Sequence, residues 1–183
     1  YKGALGMPHT RKHWYMLTLV GQDAPGIVAG VTHALAEHAC NLGETSMIRL
    51  GGNFTIMMLV ETQLNKHQLT ELMQPVAKQL GLRLHIDSVE NPDHHRIEPD
   101  VLINVHGADR VGIVAQVTER LAQAGLNILD LSSEVGGTSE QPFYIMSITG
   151  QANQGIETLE QALAELRQTG IETHLQTFEL MIG

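Results

Sequence analysis

Gly21-Gln22-Asp23-Ala24-Pro25-Gly26-Ile27-Val28 lies between an apolar run, Trp14 to Val20, and a segment, Ile27 to His38, whose apolar residues recur at helical spacing. A polar turn of Gly, Asp and Pro between those two patterns marks a strand-to-helix junction. Gly21 and Gly26 allow a tight turn, and Pro25 sets φ close to a helical value. The first N–H groups of the helix have no intrahelical acceptor and carry the positive end of its dipole, so the junction can receive a small anion such as a carboxylate.

The chain repeats this junction. Gly107-Ala108-Asp109-Arg110-Val111-Gly112-Ile113-Val114 matches it at an offset of 86, and Ala29, Val31, Thr32, Leu35, Ala36 and Asn41 face Ala115, Val117, Thr118, Leu121, Ala122 and Asn127. Phe54, Ile56 and Met57 match Phe143, Ile145 and Met146 at an offset of 89, which places three extra residues between the two blocks of the second copy. A repeat of this length suits a duplicated small domain and not a solenoid unit.

Working outward, Trp14 to Val20 reads as a mostly buried strand, and Ile27, Val28, Val31 and Leu35 form the apolar stripe of the helix after it. Asn41–Leu50 and Asn53–Glu61 are strands joined by Gly51-Gly52, a strong hairpin turn. Asn65 and Gln68 have capping-box spacing ahead of a helix carrying Leu69, Leu72, Met73, Val76 and Leu80; Gly81 ends it, and Leu82, Leu84 and Ile86 alternate as a strand. The second copy follows with Val101–His106, a helix on Ile113, Val117 and Leu121, strands Asn127–Val135 and Phe143–Thr149, a helix on Ile156, Leu159, Leu163 and Leu166, and a last strand from Ile171 to Leu180. The fold class is α+β: two ferredoxin-like βαββαβ domains, each an antiparallel sheet with both helices on one face. Residues 14–89 and 100–183 are the expected domains. Residues 90–99, with two prolines and mixed charge, read as the linker, and 1–13 as an N-terminal segment. The chain opens on Tyr1 and reaches its first Met at position 7, so residues 1–6 are expected to be foreign to the native protein and are left out of the fold.

Of the 183 residues 43% are hydrophobic and only 4% aromatic, so Leu, Ile, Val, Met and Ala must fill the cores. Each half has about 75–80 residues, a size at which a lone core is marginal. Each half also has an edge strand and one uncovered sheet face. The expectation is that the copies pack together and that the chain forms a homodimer. The formal charge of −9, from 20 acidic and 11 basic residues, argues against direct binding to nucleic acid. Cys40 is the single cysteine, which excludes an intrachain disulfide and fits a reducing cytoplasm. No apolar run approaches the roughly 20 residues that span a bilayer, so no membrane partner is expected.

Two readings of the junction stay open from the residues. Asp23 and Asp109 can simply cap helix N–H groups, for roughly 1 kcal/mol. Alternatively each carboxylate meets a ligand ammonium while the helix N-terminus takes a ligand carboxylate, with Asn41 or Asn127 offering a donor and an acceptor. His94-His95 beside Asp93 read as a solvated linker and not a metal site. His85 and His174 read as outward residues of the fourth strands, and Met47, Met57, Met58 and Met73 as core filling. No Gly-x-Ser-x-Gly, P-loop or Cys/His pairing is present, so no catalytic residue, metal or cofactor is assigned.

Gly21-x-Asp23-x-Pro25-Gly26-Ile27 followed by Asn41, in a βαββαβ frame, resembles the ACT domain, a regulatory amino-acid-binding module. Two such copies spread over most of the chain are similar to the glycine cleavage system transcriptional repressor family. The resemblance implies a non-enzymatic, glycine-responsive cytoplasmic regulator that acts through a DNA-binding activator protein. It implies ligand-binding residues Asp23, Ala24, Pro25, Gly26, Ile27 and Asn41 in the first copy, and Asp109, Arg110, Val111, Gly112, Ile113 and Asn127 in the second. The second copy departs from the motif, with Val111 in place of Pro and Arg110 in place of Ala24, so its site is expected to be altered or lost. Two rival readings share the fold: a stand-alone regulatory subunit of an amino-acid biosynthetic enzyme, and an acylphosphatase-type enzyme. Asp23 and the lack of an Arg in the first turn count against the phosphate site that the second would need.

Overall fold

The structure, a computed structural model, describes residues 11–90, 92 and 97–178. The chain divides into two compact units, Tyr1–His94 and His95–Gly183. The first contains β1 (His13–Gln22), α1 (Ile27–Glu37), β2 (Asn41–Leu50), β3 (Asn53–Thr62), α2 (Lys66–Gln79) and β4 (Leu82–Val89). The second contains β5 (Val101–Ala108), α3 (Ile113–Gln123), β6 (Leu126–Gly137), β7 (Pro142–Ala152), α4 (Ile156–Gln168) and β8 (Glu172–Thr177). All pairings are antiparallel, in the orders β2-β3-β1-β4 and β6-β7-β5-β8. These are the two ferredoxin-like domains expected from the repeat.

In the first unit the strands alternate. Leu17 and Leu19 of β1, Phe54, Ile56, Met58 and Val60 of β3, and Leu82 and Ile86 of β4 point inward. They share one core with Ile27, Val31 and Leu35 of α1 and with Leu69, Met73 and Ala77 of α2, which puts both helices on the same face. No residue of β2 is buried, so this edge strand stands beyond the helical cover. The turn at Gly51 and Gly52 has φ 56° and 77°, the left-handed pair that a two-residue hairpin needs. The capping box on α2 is closed in both directions: Gln68 N–H donates to Asn65 Oδ1 and Asn65 N–H to Gln68 Oε1, each at 2.9 Å.

The structure corrects the register of the repeat. Gly21 pairs with Phe54, but its counterpart Gly107 pairs with Tyr144, so β3 and β7 correspond at an offset of 90 and not 89. Ile56 and Met58 therefore match Met146 and Ile148, all buried. Two residues lie between the paired Leu50 and Asn53, and six between their counterparts Gly136 and Phe143, so the insertion is four residues. Phe143 leaves the core and lies against Gly136, where an added Cβ would come within 2.7 Å of its ring.

Three smaller expectations also change. The last strand is Glu172–Thr177, and Leu180 lies outside the described residues. Met58 and Met73 fill the core, but Met47 and Met57 are about half exposed, at 51% and 44%. His85 and His174 do face outward, whereas Asp93, His94, His95 and residues 1–6 lie outside the described residues.

Candidate functional site

The junction after β1 is held against the tip of the β2–β3 hairpin. Asp23 N–H donates to Gly52 O at 3.1 Å, and Arg49 Nη2 approaches Asp23 Oδ2 at 2.6 Å. Gly26, with φ 84°, is the N-cap of α1, and no side chain caps the first turn. The capping role open to Asp23 is thus not taken up; its carboxylate pairs with Arg49 instead. Ala24, Pro25 and Gly26 are exposed, while Ile27 is buried in the core and offers a ligand only its backbone. What remains is a helix N-terminus with uncapped amides, beside a carboxylate and a guanidinium that is 67% exposed.

The second copy keeps the backbone and loses the ion pair. Gly112 has φ 87° and caps α3 without a side-chain hydrogen bond, and Asp109 N–H donates to Pro142 O at 3.3 Å. Val135 stands where Arg49 stands in the first copy, so among the described residues Asp109 has no ion pair. Arg110 turns back to donate to Gln116 Oε1. Val111 is fully exposed, and Ile113, like Ile27, is core. Asn127 is exposed on β6 opposite Gln151.

Within a unit the structure does not bring Asn41 to the junction. Asn41 opens β2 and pairs with Glu61, whereas Asp23 lies by Gly52 at the other end of the hairpin. Nine strand steps separate Asn41 from Leu50, roughly 30 Å at the usual rise. Instead, Asn41 Nδ2 donates to Glu61 Oε2 at 3.4 Å, and the same oxygen meets Lys12 Nζ at 3.2 Å. The Lys12 ammonium first, and the Asn41 amide second, hold the Glu61 carboxyl below its usual value. These residues line a half-open cleft of about 460 Å³. Sequence reading missed Arg49, Lys12 and Glu61 as site residues. Glu61 stands across from Asn41 because the pairing that the Gly51-Gly52 turn fixes as far as Thr45 is shifted by one residue at a bulge between Leu42 and Thr45.

Residues 13–87 and 101–170 each match a family model for the ACT domain. Among curated proteins, the chain is 39% identical over 74 residues to the UPF0237 protein YjhC of Lactococcus lactis, covering 40% of this chain and 85% of that one. It is 26% identical over 128 residues to the glycine cleavage system transcriptional repressor of Escherichia coli, covering 69% of this chain and 67% of the repressor. A solved structure provisionally described as a glycine cleavage system transcriptional repressor superposes with a TM-score of 0.70 at 21% identity, over 92% of this chain and 98% of that one, a likeness of fold. Among the described residues no group of His, Cys, Asp and Glu could hold a metal ion, and no helix is long and apolar enough to cross a membrane.

Proposed function

The chain belongs to the ACT-domain family, and on that premise we propose that it is a non-enzymatic regulator that senses a small amino acid, glycine first, and represses transcription through a DNA-binding partner protein. The observation that carries this reading is that two ACT units, 13–87 and 101–170, make up most of the chain. The relationship to a repressor of the glycine cleavage system supplies glycine and the level of control. The net charge of −9 favours action through a protein over direct contact with phosphates.

In the first copy the uncapped amides of α1 and the exposed Arg49 are suited to a ligand carboxylate, and Asp23 to its ammonium. Asn41 of the same unit is too far away to share that ligand. A ligand using both would need Asn41 from a second copy of the chain, which is why a homodimer belongs to the proposal. In the second copy, Val135 in place of Arg49 and the exposed Val111 leave weaker means of holding a zwitterion.

A thermal-shift titration of the full chain with each common amino acid tests the reading. At a hundredfold excess over Kd a ligand stabilises the fold by about 2.7 kcal/mol. That should raise Tm by roughly 5–10 °C for a chain of this size. Glycine is expected to give the largest shift, with serine and alanine behind it. No shift with any amino acid would end the sensing reading.

A further inference from the structure

The sheet of the first unit has a second face, away from its helices. Three cross-strand rows make up its middle: Thr55-Val20-Arg83, Met57-Thr18-His85 and Leu59-Met16-Asp87, running over β3, β1 and β4. Ile48 extends the first row onto β2 and Ser46 the second. Ile48 is 61% exposed and Met57 44%. Gly43, at the β2 bulge, leaves room for the Trp14 ring, which an added Cβ would approach to 3.1 Å. Within the three rows the charges are confined to β4. There Asp87 lies 3.1 Å from His85, and Arg83 has no ion pair among the described residues.

The same rows in the second unit are Ile145-His106-Glu172, Ser147-Asn104-His174 and Thr149-Leu102-Gln176, extended on β6 by Glu134 and Ser132. That face suits water, whereas a row of Met, Val, Leu and Ile does not. An apolar surface laid on Glu134, Glu172 and His106 would take two carboxylates and an imidazole out of water unpaired, at a cost the apolar contact does not offset. A surface of the same kind as the first face strands none of its apolar groups. The arrangement of charge on β4 says which surface that is. Arg83 and Asp87 stand two residues to either side of His85, with opposite signs, on one face of one strand.

We propose that the helix-free sheet face of the first unit is the contact between two copies of this chain. The copies pack face to face about a two-fold axis that runs between the sheets along the row Met57-Thr18-His85. Such an axis lays Met57 on Met57 of the second copy and Val20 on its Met16. It also sets Arg83 over the second copy's Asp87, and Asp87 over its Arg83, so the charged margin is complementary to itself. Sheets packed in this way lie about 10 Å apart, a gap that an Arg and an Asp side chain together span. The contact leaves the β2 edge free. It therefore stands apart from the approach of Asn41 from another copy that amino-acid sensing calls for, and it needs no ligand.

Sedimentation velocity of the full chain without ligand, carried down to nanomolar protein, tests it. The unaltered chain should sediment as a dimer or a multiple of one. Met57→Glu sets two carboxylates against each other on the axis and should halve that mass. Arg83→Glu alone, or Asp87→Arg alone, faces like charge with like and should weaken association about tenfold. The double variant Arg83→Glu/Asp87→Arg restores both pairs in reverse and should recover the affinity of the unaltered chain. All three side chains are exposed, so far-UV circular dichroism of the variants should match that of the unaltered chain. A monomeric unaltered chain overturns the proposal, and so does an assembly that keeps its full mass in every variant, since its contact then lies on another surface. Single variants that weaken association without recovery in the double variant would show that this face is covered by something other than itself, which also overturns it.

Discussion

Gly21 and Gly107 occupy the same place in the two copies, next to last in β1 and β5, yet they answer to different constraints. A Cβ on Gly21 would come within 2.8 Å of Gly81 O and 2.7 Å of Leu82 Cδ2, and the backbone carbonyl cannot give way. A Cβ on Gly107 would meet only the tip of Ile113, at 2.7 Å. Gly21→Ala should therefore cost about 1–3 kcal/mol by overpacking, and Gly107→Ala clearly less; urea denaturation of the two variants compares them directly. Tyr15 offers a second residue-scale test. Burial raises its pKa above 10.0, so the folded state favours the neutral phenol. Its contribution is present below the unfolded pKa of about 10 and is lost as pH rises beyond it, because only the unfolded chain then ionises freely. Tyr15→Phe loses the hydrogen bond to Leu64 O, for about 1 kcal/mol at neutral pH. It should also flatten the alkaline part of a stability–pH curve; an unchanged alkaline slope would contradict the account.

Among the elements, α2 combines a strong start with a flawed middle. Its closed capping box predicts that Asn65→Ala lowers stability by about 1 kcal/mol. Pro75 lies inside the helix and exposed, where it leaves the Glu71 carbonyl without its i+4 donor. Pro75→Ala should stabilise the first unit by about 1–3 kcal/mol, read as a rise in the denaturation midpoint. The hairpins show how far local patterns reach. Gly51-Gly52 specifies its own turn, so the register of β2 on β3 was legible from the sequence as far as Thr45; the bulge beyond it, which sets Asn41 opposite Glu61, was not. In β7 two alternating apolar sets compete, Phe143 with Ile145 and Tyr144 with Met146 and Ile148. A one-residue slip exchanges the faces of a strand. Pairing with β5 selects the second set, because Val105 and Ile103 need Met146 and Ile148 beside them in the core.

At the scale of the whole molecule the copies differ most on the sheet face away from the helices. In the first unit Met16, Val20, Ile48, Met57 and Leu59 face outward; by register their counterparts are Leu102, His106, Glu134, Ser147 and Thr149. An apolar sheet face tends to be covered, and a polar one tolerates water. Expressed separately, residues 11–90 should self-associate, whereas 97–178 should stay monomeric and soluble; sedimentation velocity of the two fragments tests this, and equal behaviour would refute it. The acidic whole predicts no sequence-specific DNA binding by the purified chain. A salt-sensitive gel shift at submicromolar protein without a partner would overturn that prediction.

The amino-acid sequence by itself determined the duplication, the βαββαβ order of each copy, the Gly-Gly turn and the cap on α2. Each of these rests on periodicity or turn chemistry within a dozen residues, or on comparing the chain with itself. Only the tertiary structure decided that Asp23 meets Arg49 and does not cap its helix, that Asn41 stands at the opposite end of the sheet from the junction, and that Lys12 and Glu61 share a cleft with it. Those pairs are brought together by strand pairing between residues 20 to 49 positions apart. Such contacts depend on register and on which edge each strand takes in the sheet, and these are set by long-range burial of the core and not by any local pattern in the chain.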